Sequence, residues 1–436
     1  LSRGFYLVIA AQTLSSLADN ALFIAAIALI QQLSGPIWMT PVIKWWVAAG
    51  FVILAPFVGA IADSYPKGLV MFATNTLKVA GCLLMFCYGG FGLSSSGQIA
   101  LVCAAYAIVG MGAAAYSPAK YGIVTEMLPP RLLVMGNSWM EGMTVCSIIT
   151  GSVIGGMLIA PAVSGWILAR PYLRGWIETP AEGAILMIGF LYAGAAFINL
   201  FIPNTHIIYP KQSRNPLKLI SAFKGYMQVL WSDRIGQISL AVTTLFWGAG
   251  ATLQLIVIEW GRQHLGYRLD QASILMGMAA IGTVLGAALA ACVPLKRALG
   301  VLPVGVMMGL VVLAMPYIYE TWIVYTLLLL VGALSGFFVV PMNALLQHRG
   351  YVLLTAGHSI AVQNFNEQLN ILLMVTLYTL MLWLNVEINT IVILFGLSVA
   401  GLMLAVLFWS RRNIKHHPHL LDEIGQDGHG HALDKN

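Results

Sequence analysis

The sequence predicts an all-α membrane protein of twelve transmembrane helices in two six-helix halves, and three observations carry that prediction. Only 9% of the 436 residues are charged and 59% are hydrophobic, against roughly a quarter charged in soluble domains. Such a chain cannot cover a water-facing surface and must set most of its surface against lipid. The apolar residues fall into twelve runs, each near the ~20 residues that cross a bilayer as a helix. Lys and Arg concentrate on alternate connections, as they do in a chain threaded back and forth through a membrane.

In chain order the runs cover 5–30, 42–62, 69–91, 98–123, 136–160, 184–203, 235–259, 271–294, 301–318, 322–346, 355–384 and 388–409. Turn residues and charges separate them, as at Asp63-Ser-Tyr-Pro-Lys-Gly68 and Pro129-Pro130-Arg131. The longest break, 204–232, holds Lys211, Arg214, Lys218 and Lys224. It divides the chain into an N-terminal half (1–203), a linker (204–232), a C-terminal half (233–410) and a tail (411–436). With the N-terminus in the cytoplasm, 15 of the 22 Lys and Arg fall on inside connections and tails. Five fall outside (Lys44, Arg170, Arg174, Arg262 and Arg268), and Lys78 and Lys120 lie within spans. This bias predicts that both termini and the linker are cytoplasmic. A short repeat relates the halves: Pro118-Ala-Lys120-Tyr-Gly122 followed by Gly136-Asn-Ser138 parallels Pro341-Met-Asn343-Ala-Leu345 followed by Gly357-His-Ser359.

Several function classes drop out. The net charge of +6 reflects which side of a membrane the cations occupy and does not mark a nucleic-acid partner. Cys82, Cys87, Cys103, Cys146 and Cys292 all lie in apolar runs, which suits packing and not a disulfide or metal framework. The first apolar run is long enough to span and reads as a helix, not a cleaved leader. The sequence has no Gly-Lys dipeptide and so no phosphate-binding loop, and no Gly-x-Ser-x-Gly elbow. His417 and Asp422 have an acyltransferase-like spacing, in a tail of about twenty residues that is too short to fold around an active site. His416, His417, His419, His429 and His431 make that tail His-rich. Their spacing closes no four-ligand site, and the tail from about 413 is expected to be disordered. No catalytic residue, cofactor or metal is expected.

Candidate site residues come from charge inside the spans. An ionisable group there costs about 2.5–3.5 kcal/mol to insert, so it faces the bundle interior and often marks a substrate path. Asp19, Lys78, Lys120 and Glu141 are such groups. The depths of Asp19, Lys78 and Lys120 allow one polar cluster in the N-terminal half, with Asp19 and Lys120 as its ion pair, whether that pair serves substrate or packing. Lys78 reads as a packing or snorkelling residue. Glu141 suits the positive end of its helix.

Several motifs then point to a family. These are Ala18-Asp-Asn-Ala-Leu22, Ala55-Pro-Phe-Val-Gly-Ala-Ile-Ala-Asp-Ser-Tyr-Pro-Lys-Gly68, Gly112-Ala-Ala-Ala-Tyr-Ser-Pro-Ala-Lys-Tyr-Gly122, Leu245-Phe-Trp-Gly-Ala-Gly250, Gly336-Phe-Phe-Val-Val-Pro-Met-Asn-Ala-Leu-Leu-Gln347 and Ile360-Ala-Val-Gln-Asn364. Together they resemble the bacterial lysophospholipid-transporter branch of the major facilitator superfamily. The resemblance implies a flippase of the bacterial inner membrane that returns lysophospholipids from the outer to the inner leaflet. It also implies an acyltransferase–acyl carrier protein synthetase as partner, which reacylates them. Carried onto this chain, it makes Asp19, Asn20, Lys78, Lys120, Gln254 and Gln363 candidate headgroup contacts, with Gln254 standing where the family has a cation. Gly59, Asp63 and Lys67 match the superfamily's loop between the second and third helices, a charge latch between halves, although Ser64 and Pro66 stand at two of its basic positions. Gly151 and Gly155, and Gly282 and Gly286, are pairs four apart that let helices approach closely. On the fifth and eighth helices, which face each other between the halves in the family, they read either as sliding surfaces of a gate or as ordinary close packing. The alternative in the same fold is a proton-coupled exporter of drugs or small metabolites, which Asp19 would also suit. A membrane-embedded acyltransferase would need a His or carboxylate centre, and the spans offer none.

Overall fold

The computed structural model describes residues 2–128, 133–209, 211, 213–290, 292–354 and 356–424. The side chains of Glu141 and His358, the Pro129–Arg131 break, His429 and His431 lie outside what is described. Among the described residues there are fourteen α-helices and no strand. They are α1 (Arg3–Gln32), α2 (Met39–Ser64), α3 (Lys67–Phe86), α4 (Ser95–Met127), α5 (Leu133–Ile159), α6 (Pro161–Leu168), α7 (Pro180–Asn199), α8 (Pro216–Ser232), α9 (Arg234–Gln263), α10 (Leu269–Ala290), α11 (Leu302–Val312), α12 (Thr321–Leu353), α13 (Ala356–Trp383) and α14 (Ile388–His416).

Each of the twelve predicted runs has a helix. Eleven are long and apolar enough to cross a membrane, one of them being α11 with the 3-10 turns that flank it, Leu295–Tyr317. The twelfth, α13, has the length at 28 residues, but Gln363, Asn364, Asn366, Glu367, Gln368 and Asn370 dilute its hydropathy. Large apolar side chains such as Ile53, Phe190, Phe197, Leu285, Leu377 and Phe408 are exposed, as a lipid-facing surface requires. Local chemistry sets the ends. Ser2 caps α1 by accepting from the Phe5 amide at 3.2 Å, and Thr179 caps α7 ahead of Pro180. Pro56, Pro118 and Pro341 sit inside α2, α4 and α12.

Two helices were not foreseen, α6 and α8. The tail also departs from expectation: α14 runs to His416, a 3-10 turn follows at Pro418–Leu421, and Leu420 and Ile424 are buried. Lys44, expected on an outside loop, lies inside α2 with its ammonium 4.5 Å from the Phe23 ring centre.

The chain divides into two compact units. The first comprises Leu1–Leu219, Val257–Gly277 and Val375–Asn385. In it α1 packs on α5 and α7, and α3 and α2 pack on α4. The indole N–H of Trp45 on α2 donates to Thr376 on α13 at 2.7 Å. The second unit comprises Ile220–Ile256, Met278–Met374 and Val386–Asn436, with α11 packed on α14 and α12. Here Phe223, Tyr226, Met227 and Trp231 of α8 close over Leu240, Leu346 and Val362.

The paired glycines are places of close packing, each pair against one neighbouring helix. A Cβ on Gly151 would stand 2.5 Å from the Leu17 carbonyl, and one on Gly155 2.9 Å from that of Ala21, so both serve α1–α5 packing. Gly282 and Gly286 abut the Leu329 and Ala333 carbonyls of α12, while Gly332 and Gly336 abut Ala279 and Thr283 in return. The α5–α10 approach in the first unit is made instead by Gly156 against Ser273 and Gly277 against Val153.

Candidate functional site

In the first unit, one face of α1 brings Ser15 and Asp19, one turn apart, to Asn75 and Lys78 of α3. The Lys78 ammonium donates to Asp19 Oδ2 at 3.0 Å, Asp19 Oδ1 at 3.1 Å and Ser15 Oγ at 3.0 Å. Three donors meet three acceptors, which is what a buried ammonium needs. The Ser15 hydroxyl in turn donates to Asn75 Oδ1 at 2.7 Å, and Tyr192 of α7 donates to Asp19 Oδ1 at 2.5 Å. The rings of Tyr116 and Tyr192 lie 5.2 and 5.5 Å from the ammonium. Gly112 on α4 makes the room, since a Cβ there would fall 2.9 Å from Lys78 Cγ. Lys78 is 1% exposed, whereas the Asp19 side chain is 33% exposed. The pair is therefore a charge-balanced cluster with its cation sealed and its carboxylate facing open space.

This arrangement replaces the expected Asp19–Lys120 pair: the ion pair of Asp19 is with Lys78. Lys120 is half-buried on α4, two residues past Pro118, with its ammonium 4.5 Å from the Tyr121 ring centre. Asn20 turns away from Asp19; its amide donates to the Ser16 carbonyl at 2.9 Å and its Cβ packs beside Gly151. Gln254 is half-buried on α9 in the second unit. Gln363, also in the second unit, donates to Asn343 Oδ1 at 3.0 Å and Glu367 Oε1 at 2.7 Å. Asn343 stands in the repeat where Lys120 stands in the first half. The sequence reading missed Glu367 because it lies in a helix whose polarity hides it.

The loop between α2 and α3 carries a second cluster. Lys67 pairs with Glu126 Oε1 at 2.9 Å and with Asp63 Oδ1 at 3.4 Å, and its ammonium lies 4.2 Å from the Tyr209 ring centre. Glu126 also accepts from Thr205 at 2.5 Å and Tyr209 at 2.7 Å. Burial alone would raise the Glu126 carboxyl, but donation from Thr205, Lys67 and Tyr209 and the charge of Lys67 outweigh it and hold it below the usual glutamate range. Gly59 is exposed, with open space where a Cβ would be. These partners of Lys67 all lie in the first unit, so the cluster ties α3, α4 and the segment after α7 together. The second unit has an ion pair at the matching place: Arg349 on α12 grips Asp233, ahead of α9, at 2.5 and 3.0 Å. Glu126 and Arg349 each stand eight residues past the repeat's proline, a register legible in the sequence but not used.

His416, His417 and His419 line a cavity of about 520 Å³ with Arg234, Asp233 and Glu423. Among the described residues no three His, Cys, Asp or Glu side chains are grouped to hold a metal.

The sequence pattern of the Major Facilitator Superfamily matches residues 8–351. The chain is 41% identical over 391 residues, 89% of each chain, to the lysophospholipid transporter LplT of Pectobacterium carotovorum. It is 39% identical over 416 residues, 94% of this chain and 97% of the relative, to the lysophospholipid transporter LplT of Escherichia fergusonii. Among solved structures, an outward-facing bacterial homologue of the iron transporter ferroportin superposes with a TM-score of 0.64 at 15% identity, over 94% of this chain and all of that one. An inward-facing bacterial homologue of the lysosomal transporter Spinster superposes with a TM-score of 0.61 at 14% identity, over 95% and 99%. At those identities the structures speak for the fold alone.

Proposed function

The chain belongs to the major facilitator superfamily and to its lysophospholipid-transporter family, and from that membership we propose that it moves lysophospholipids from the outer to the inner leaflet of a bacterial inner membrane. The observation that carries the reading is identity near 40% along most of the chain. It is supported by a polar, charge-balanced cluster inside an otherwise apolar bundle.

The lipid's own energetics set the route. Each buried CH₂ of the acyl chain contributes about 0.8 kcal/mol of membrane affinity, so passage through water would forfeit many such terms. The tail therefore stays in lipid or an apolar groove while the headgroup alone crosses a polar path. The shared feature of these headgroups is an anionic phosphate. Lys78 is committed to Asp19 and sealed from solvent, so it serves to hold the Asp19 carboxylate in place. Lys120, half-buried beside a proline that frees backbone polar groups, reads the phosphate. Substrate then favours the conformation in which Lys120 meets it, the differential affinity that any ligand-driven transition requires.

In this reading the halves are 1–203 and 233–410, the 204–232 linker and both termini are cytoplasmic, and an acyltransferase–acyl carrier protein synthetase consumes the product. Vesicles containing only this protein test the reading. Lysophospholipid should leave the leaflet to which it was added and be recovered chemically unchanged; a changed lipid would make the protein an enzyme.

A further inference from the structure

The last turns of α9 carry a charge pair that the central cluster does not use. Glu259 is 5% exposed although it lies within the membrane-crossing stretch, about 6 Å from that helix's C-terminal end at 1.5 Å per residue. Gln263 donates to its Oε1 at 2.6 Å, and the Arg262 guanidinium stands 3.5 Å from its Oε2, a long contact, with Arg262 one third exposed. Both partners lie on the carboxylate's own helix, so these contacts tie α9 to nothing else. A carboxylate is also poorly placed toward the carbonyl-rich end of a helix, where the macrodipole favours cations. Aromatic side chains stand in the same part of the first unit. Tyr378 of α13 is buried within electrostatic reach of Glu259. Trp260 is fully buried, stacks on His264 with ring centres 5.2 Å apart, and has no acceptor for its indole N–H among the described residues.

We infer that Glu259 and Arg262 form an outer-side reception site for a zwitterionic headgroup, Glu259 taking its ammonium and Arg262 its phosphate. This inference rests on the lysophospholipid reading and on the orientation given above, which puts the C-terminal end of α9 at the outer face. A carboxylate beside aromatic rings is the chemistry that recognises an ammonium. A guanidinium whose anionic partner among the described residues is a long, own-helix contact can exchange that partner for a phosphate. The pair thus matches the two charges that an ethanolamine headgroup carries, and a glycerol headgroup offers only the second.

The test compares ethanolamine and glycerol lysophospholipids, by uptake into vesicles holding the full chain and by binding to the purified protein. Glu259→Gln should lower the ethanolamine-to-glycerol ratio about tenfold, the worth of one charge-assisted contact, and Glu259→Asp should recover part of it. Arg262→Gln should weaken both lipids and keep the ratio. An unchanged ratio in Glu259→Gln overturns the site, as does an effect that appears only when sodium replaces potassium, which would assign Glu259 to a free cation. Should the parent protein move neither lipid, the transport reading fails, and the binding ratio still decides the site.

Discussion

A lysine sealed inside a membrane helix is tolerable only while every proton of its ammonium is taken and its charge is met, and Lys78 satisfies both through Ser15 and Asp19. Lys78→Ala leaves the Asp19 carboxylate without its cation and should destabilise the protein by about 3 kcal/mol, the low end for breaking a buried pair. Thermal melts should show that loss for Lys78→Ala and a near-parental melt for Lys120→Ala. The Lys67–Glu126 cluster gives a pH prediction. The folded Glu126 carboxyl lies below its unfolded value, so its contribution is complete above the ordinary glutamate range and is lost as pH falls through the folded value. Stability should hold from pH 7 to about pH 5 and decline below about pH 4.5, and Glu126→Gln should flatten that decline. The charges of Asp19 and Lys78 were legible, because each interrupts an apolar run. Their pairing was not: the face α1 turns to α3 depends on how four helices pack, and Gly112, which makes room for Lys78, carries no signal of its own.

At the scale of elements, a bilayer forces spanning segments into long apolar helices, so apolar runs marked all twelve helices, eleven of them apolar enough to cross a membrane. The misses follow from the same rule. α8 has 17 residues and alternates faces: Leu219, Phe223, Tyr226 and Leu230 turn inward while Lys218 and Lys224 are exposed. A search for unbroken apolar runs passes over such a helix. The glycine spacing correctly marked close approach, but spacing names no partner, and Gly282 and Gly286 met α12. The order of spans makes a sidedness prediction. Cys87, Cys146 and Cys292 are exposed, so labelling needs a cysteine-free background. In it, cysteines replacing Ser95 and Gly175 should react with an impermeant thiol reagent from the periplasmic side, and one replacing Arg214 only after the membrane is opened. The reverse pattern would invert the proposed orientation.

At the scale of the whole molecule, the superfamily fold leaves the chemistry to a few side chains on inward faces. Lys78 serves stability and Lys120 substrate, as the sequence reading had it, but it is Lys78 and not Lys120 that pairs with Asp19. One measurement separates them most directly: the rate at which labelled lysophospholipid becomes inaccessible to an external lipid acceptor, in vesicles reconstituted with parent or Lys120→Ala protein at matched levels and matched thermal stability. Rapid protection is expected with the parent, and with Lys120→Ala a rate no higher than that of protein-free vesicles. Protection by Lys120→Ala at the parental rate would contradict the substrate role of Lys120.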